Sequence, residues 1–335
     1  MSDETIAVIV PLFDGRETVA EAMISVLAQT RPPSEMILID DGSSDDSLDV
    51  ALAAIGEVPF PVKTIQQRNQ GQSAARNAGV EATDCEFVAF LDQDDRWRHD
   101  HLEKLAHAIT AHADIAWAYS DFNQIDATGQ MVARRFRHLL RKRSNKSSIR
   151  DILMDDMYAL PSASMLRRSA LLDCDGFNVH LRGYEDDDLF VRMFSAGWRS
   201  AYVPEALVDY RVHGTSSSSS PHLWRSRVTF YEEMRDRYGD LTAAGEDAVL
   251  QLLRPRLMYS SMIEYSRALR NRRFDHARDI SLTIRALFPV RHIGARRRIG
   301  FAILRRPRVA RRLVLMTQSV PMARSILPRG LHIRR

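Results

Sequence analysis

Short apolar runs alternate with stretches of helical spacing through the first third of the chain. "IAVIVPLF" is a continuous apolar run of the kind carried by a strand buried on both faces. "ETVAEAMISVLAQT" follows, with Val19, Met23, Val26 and Leu27 spaced for one helix face and Pro32-Pro33 as the stop. The alternation repeats as "EMILID" and "SDDSLDVALAAI", "PVKTIQ" and "GQSAARNAGVEA", "EFVAFLD" and "HDHLEKLAHAITAH". The last of these sets Leu102, Leu105, Ala106 and Ile109 on one face before a fifth strand, "DIAWAYS". Strands alternating with helices of about ten residues make βαβ units, which build a parallel sheet covered on both faces.

After Ser120 the pattern changes. "DFNQIDATGQMVARRF" predicts a hairpin turning at Thr128-Gly129, and "LLRKRSNKSSIRDIL" a basic loop entering a helix. Regular elements resume in "SASMLRR", "DDLFVRMFSAG" and "AYVPEALVDYRVHG". The serine run at 216–220, closed by Pro221, predicts a flexible connection, and the chain beyond it has helical spacing. The expected organisation is a domain over 1–215, divided at 120/121, then a helical extension over 222–288 and a basic amphipathic tail over 289–335.

Composition adds a charge asymmetry. Apolar content of 45% and charged content of 27% are those of a soluble globular protein. From Arg285 to Arg335 there are 14 arginines and no Asp, Glu or Lys, which leaves 33 basic against 43 acidic side chains upstream. An acidic body carries a basic tail. Arginine interleaved with Ile, Leu and Val suits an anionic membrane surface, where each Arg contributes about 1 kcal/mol. Little aromatic interleaving is available for base stacking, so no nucleic-acid partner is expected. Cys85 and Cys174 lie far apart with no CxxC spacing and read as reduced thiols rather than metal ligands. The first residues lack a basic n-region and a long apolar core, and no run reaches the roughly 18 apolar residues of a spanning helix. The expected location is cytoplasmic, with peripheral contact at the inner face of the membrane through 285–335.

In an open parallel sheet, ligands bind beyond the carboxyl ends of the strands. The residues just past these runs are Pro11 and Phe13, then Asp40-Asp41-Gly42-Ser43, then Asn69-Gln70-Gly71, then Asp92-Gln93-Asp94-Asp95. Three carboxylates within four positions raise one another's pKa unless a cation or hydrogen-bond donors neutralise them.

Taken together, "VIVPLFDGRETVAEAMISVLAQT", "EMILIDDGSSDDS", "NQGQSAARNAG" and "EFVAFLDQDD" resemble a family 2 glycosyltransferase, over about Ile6 to His213. The resemblance implies the α/β GT-A fold: a Rossmann-like mixed, mainly parallel sheet flanked by helices, here with a C-terminal helical extension. It implies an inverting transfer from a nucleotide-diphosphate sugar, UDP favoured, to a saccharide or lipid-linked acceptor. Asp41 would accept from the base, with Asp40 supporting the turn and Pro11 and Phe13 walling the ring. Asn69 and Gly71 would let backbone approach the nucleotide, and Arg76 would reach the diphosphate. Asp92 would face the ribose. Asp94, with Asp95 as its substitute, and His213 would hold Mg2+ or Mn2+. "LRGYEDDDLFVRMFSAGW" resembles the family's E-D motif, implying Asp186 as general base and Glu185 as its helper. A non-catalytic nucleotide-sugar-binding protein on a degenerate version of the fold is the competing reading. A nicotinamide dehydrogenase is disfavoured, since "VPLFDGRE" stands where GxGxxG belongs.

Overall fold

The computed structural model describes residues 4–140, 148–213, 221–238, 249–287 and 307–308. It divides into two compact units, one of 1–152 with 157–216 and one of 153–156 with 217–335. In the first, the strands are β1 (Ile6–Leu12), β2 (Glu35–Asp40), β3 (Val62–Gln66), β4 (Phe87–Phe90), β5 (Arg96–Trp97), β6 (Ile115–Ile125), β7 (Met131–Ala133), β8 (Ser164–Arg167) and β9 (Arg199–Arg211). The helices are α1 (Val19–Leu27), α2 (Ser47–Ile55), α3 (Gln72–Glu81), α4 (His101–Thr110), α5 (Phe136–Leu139), α6 (Ile149–Met154), α7 (Arg168–Asp173) and α8 (Glu185–Ser195).

All nine strands form one sheet in the order β3-β2-β1-β4-β8-β6-β9-β5, with β7 paired to β6. The first four strands are mutually parallel. β8 inserts antiparallel between β4 and β6, and β6 pairs parallel with β9. The expected mixed, mainly parallel sheet is therefore present. β2 is buried along its whole length, which is why "EMILID" carries no alternation. β3, at the sheet edge, is only partly covered. Gly79 on α3 lets that helix lie close on the sheet, since a Cβ there would stand 2.4 Å from Ile9.

Two elements depart from the sequence expectation. "DIAWAYS" runs on through Asp121 and Asn123 to Ile125 before the predicted hairpin. Those polar residues are buried but satisfied: Asp121 accepts the N–H groups of Phe122, Arg137 and His138, and Asn123 donates to Asp209. The hairpin itself turns at Gly129 (φ +82°), with Asp126 accepting from Thr128 and Gln130. The second departure is β5, two residues paired antiparallel with β9.

The second unit contains α9 (Pro221–Tyr238), α10 (Arg254–Arg270) and α11 (Phe274–Leu287). Met262, Tyr265, Leu269, Ile280 and Ile284 form its apolar core. A buried Arg227 donates to Ser261 (2.8 Å) and Glu264 (3.0 Å). No helix among the described residues is long and apolar enough to cross a membrane. The basic loop at 141–147, the serine run at 216–220 and all but two residues of the tail at 289–335 lie outside the described residues.

Candidate active site

The loops after β1, β2 and β4 are knitted together at the carboxyl edge. Gln93 accepts the Phe13 N–H (2.8 Å) and donates to the Phe13 carbonyl (2.7 Å). Its amide lies where a Cβ on Gly15 would have to stand, so glycine there lets the side chain cross over. Phe13 is exposed beside Pro11 of β1. Asp40 accepts the Ser43 N–H (2.9 Å) and closes the turn after β2. Asp41, buried, accepts from the Gln67 amide and the N–H groups of Gln70 and Gly71, at 2.7–2.8 Å. It thereby shapes the loop carrying exposed Asn69 and the left-handed Gly71 (φ +90°), a conformation that favours glycine.

Three aspartates follow β4, and each has its own neutraliser. Asp92 takes the Arg76 guanidinium at 2.7 Å and its N–H donates to Ser162 Oγ. Asp94 meets His213 Nε2 at 2.8 Å. Burial pushes the Asp94 carboxyl up, the Asp92 charge adds to this, and His213 offsets part of it. Asp95 is buried and accepts the Arg211 N–H (2.9 Å). Burial, then the charges of Asp94 and Asp92, hold its pKa well above the usual carboxylate range, which favours the protonated form. His213 reaches this cluster because β9 is anchored just before it. Arg211 donates to the Asp94 carbonyl (2.8 Å), the Ala127 carbonyl (3.1 Å) and Glu21 (2.8 Å).

Arg76 sits behind this edge. The guanidinium expected at a diphosphate is 1% exposed and bridges Asp92 to Glu185 (3.2 Å) over the Phe177 ring. Both arms of its fork are committed to carboxylates behind the edge. The sequence could not indicate this direction, since the second carboxylate lies 109 residues away. Asp95 also departs from expectation as a metal-side substitute, because its side chain is buried and holds β9.

On the other side of that bridge, Tyr184 adopts a left-handed conformation (φ 68°) and starts α8. Glu185, buried, accepts from Arg76, the Gln72 amide and the Gly183 N–H. Asp188 is buried against Arg192, which also donates to the Gly176 carbonyl (2.8 Å). Asp187 is buried too. Asp186 alone of these four acids is half-exposed, accepting its neighbour's N–H at 2.9 Å.

A divalent cation fits this donor set in one way. Among the described residues no three His, Cys, Asp or Glu side chains converge as a preformed metal centre. Asp94 could supply one carboxylate donor, with other positions left to water and phosphate oxygens as Mg2+ is usually bound, and His213 beside it would be the less usual, imidazole, donor for such an ion.

Comparison with known proteins decides the family. A family model described as glycosyl transferase family 2 matches residues 7–174. The chain belongs to that family. It is 27% identical over 274 residues to an uncharacterised glycosyltransferase of Nostoc, covering 80% of this chain and 81% of that protein. It is 24% identical over 216 residues to TuaG of Bacillus subtilis, provisionally named a teichuronic acid biosynthesis glycosyltransferase, covering 64% and 82% respectively. Residues 1–349 of S. aureus TarS, solved with UDP-GlcNAc, superpose with a TM-score of 0.63 over 94% of this chain and 91% of that one, at 18% identity. That identity supports the shared GT-A fold.

Several residues of this glycosyltransferase's candidate site were not legible beforehand. Gln93 was the unspecified middle position of D-x-D, yet it clips the Phe13 loop. Gln67, Gln72 and Ser162 act through hydrogen bonds that no periodicity announces. Arg211 stands two residues before His213, but the aspartates it serves lie 116 and 117 positions away, so the sequence carried no local signal for its role.

Proposed function

We propose that this enzyme transfers a sugar, with inversion, from a nucleotide-diphosphate sugar to a hydroxyl of a saccharide or lipid-linked acceptor, in the synthesis of a surface polysaccharide or glycolipid. The observation that carries the reading is the Asp92–Arg76–Glu185 bridge, which ties the carboxylate edge to the helix start bearing half-exposed Asp186. In this reading residues 1–120 hold the donor and 121–215 the acceptor.

Asp41 accepts the ring N–H of the base. Its Oδ2 takes one bond, from Gly71, and a carboxylate oxygen can accept a second. That pattern suits uracil, and the UDP-GlcNAc bound by TarS supports UDP as the nucleotide. Pro11 and Phe13 flank the base, Asn69 and Gly71 present backbone, and Asp92 faces the ribose. Asp94 and His213 would hold Mg2+ or Mn2+ together with donor phosphate oxygens. When bound, the ion neutralises charge on the departing nucleoside diphosphate. Asp186 takes the proton of the acceptor hydroxyl as that oxygen bonds to the anomeric carbon, and the bond from that carbon to the diphosphate oxygen breaks on the opposite face. Glu185, held by Arg76, orients this end of α8. The name of TuaG supports the polysaccharide setting.

Thermal unfolding with UDP, dTDP or GDP, each with and without Mn2+, tests the donor side. One nucleotide at 100 times its Kd should stabilise the wild type by about 2.7 kcal/mol, dependent on metal and lost in Asp94→Ala. No shift with any nucleotide would refute the donor assignment.

A further inference from the structure

The ten residues that follow the β6–β7 turn hold apolar side chains in water on a firmly anchored support. Val132 and Leu139 are 64% and 61% exposed, with Met131 and Leu140 also exposed. Scattered exposed leucines need no explanation, but four large apolar side chains within ten residues form a patch. The patch is not loose chain. Arg135 takes a left-handed conformation (φ 50°), its N–H donating to Asn123 and its guanidinium to the Pro204 carbonyl. Asp121 accepts the N–H groups of Arg137 and His138, pinning the start of α5. Phe136 stacks on Phe122 with centroids 5.3 Å apart. The Arg137 guanidinium lies buried between the rings of Tyr119 (4.6 Å) and Tyr202 (4.2 Å). A left-handed non-glycine residue is strained and persists where its surroundings dictate it. Here they turn Phe136 and Arg137 inward and leave Leu139 and Leu140 outside.

Charge identifies the occupant. From Ala127 to Arg150 the sequence has eight basic residues and no Asp or Glu, in a body whose first 284 residues are otherwise acidic. Exposed Arg134 and Arg135 lie inside the patch. Apolar side chains in a stretch rich in basic residues suit the interface of an anionic bilayer, where the former enter the acyl boundary and the latter meet headgroups. We propose that residues 131–140 are a membrane-contact surface of the glycosyltransferase unit, binding anionic lipid. This stretch is distinct in sequence from the basic tail at 285–335, for which peripheral contact was the sequence expectation. Its use in meeting a lipid-linked acceptor rests on the reading above.

The test uses the full chain with a spin label at Leu139→Cys. Cys85 and Cys174 are buried, and burial pushes both thiols up, so the new cysteine labels selectively. With vesicles of phosphatidylglycerol and phosphatidylcholine, the label should gain severalfold in collision rate with lipid-dissolved oxygen. It should lose access to an aqueous relaxant, and vesicles of phosphatidylcholine alone should have much less effect. A label that stays as aqueous as without vesicles overturns the proposal, whether the chain stays in solution or binds through its tail alone. Shielding that grows with protein concentration in the absence of lipid overturns it in favour of self-association. The readout involves neither nucleotide nor turnover, so its outcome is independent of the donor test.

Discussion

Replacing Arg76 with alanine removes the cation from between Asp92 and Glu185, and the two carboxylates should respond differently. Asp92, with its side chain 30% exposed, can turn to water, whereas Glu185, at 5%, cannot. Glu185 would keep two neutral donors, Gly183 N–H and the Gln72 amide. Breaking a buried ion pair by removing one partner costs about 3–5 kcal/mol. Solvent at Asp92 and the two surviving donors place the expectation near the lower end, about 3 kcal/mol. For a unit of this size each kcal/mol moves Tm by roughly 2–4 °C, so calorimetry should find a loss of about 6–12 °C. Adding Glu185→Gln distinguishes the cause. If the stranded charge dominates, the double variant recovers part of the loss, whereas independent effects would add. A loss under 1 kcal/mol, or a double variant worse than the single one, would refute the stranded-charge account.

Asp186→Asn should lower turnover by about 10²–10⁴-fold while leaving nucleotide-induced stabilisation intact; unchanged turnover would move the base elsewhere. Asp95 is raised by burial and by Asp94 and Asp92. Its contribution is therefore present below its unfolded pKa of about 3.9 and lost as pH rises through the folded value. Asp95→Asn keeps an acceptor for Arg211 and should flatten the stability profile above pH 4, measured as urea midpoints; an unchanged slope would contradict this. Gly79→Ala sets a Cβ 2.4 Å from Ile9 Cγ2 and 3.0 Å from Ile39 Cδ1, so α3 must shift at a cost of about 1–3 kcal/mol. An unaltered urea midpoint would mean Ile9 simply rotates away.

How far the sequence could be read depended on whether a signal was local. β1 to β4 and their helices declared themselves because each buries a face set by its own periodicity. The polar residues at the strand ends were found for the same reason, as interruptions of an apolar run. β5 was invisible because two residues have no period, and its pairing partner Asp209 lies 113 positions from Arg96. The continuation of β6 looked like loop because Asp121 and Asn123 are polar, and only their hydrogen-bond partners make burial tolerable. The direction of Arg76 depended on Glu185, far along the chain, so propensity could place the residue on a helix but not choose its face.

Four consecutive acids at one helix start could be no more than a favourable interaction with the helix dipole, and exposure alone would not distinguish that from chemistry. Their partners do. Asp188 fastens Arg192 to the turn at Gly176, and Glu185 faces inward to Arg76. A helix needing only negative charge at its start would gain as much from four solvated carboxylates, without desolvating three of them. Burying Glu185, Asp187 and Asp188 costs free energy, which Arg76 offsets at Glu185 while it also holds Asp92. Asp92 and Glu185, which the proposed function sets on the donor and acceptor sides, are thus joined through one buried cation. A shift of Asp92 on nucleotide binding would reach the neighbour of Asp186 through two charge-assisted hydrogen bonds, a coupling that Asp186→Asn leaves intact and Arg76→Ala removes.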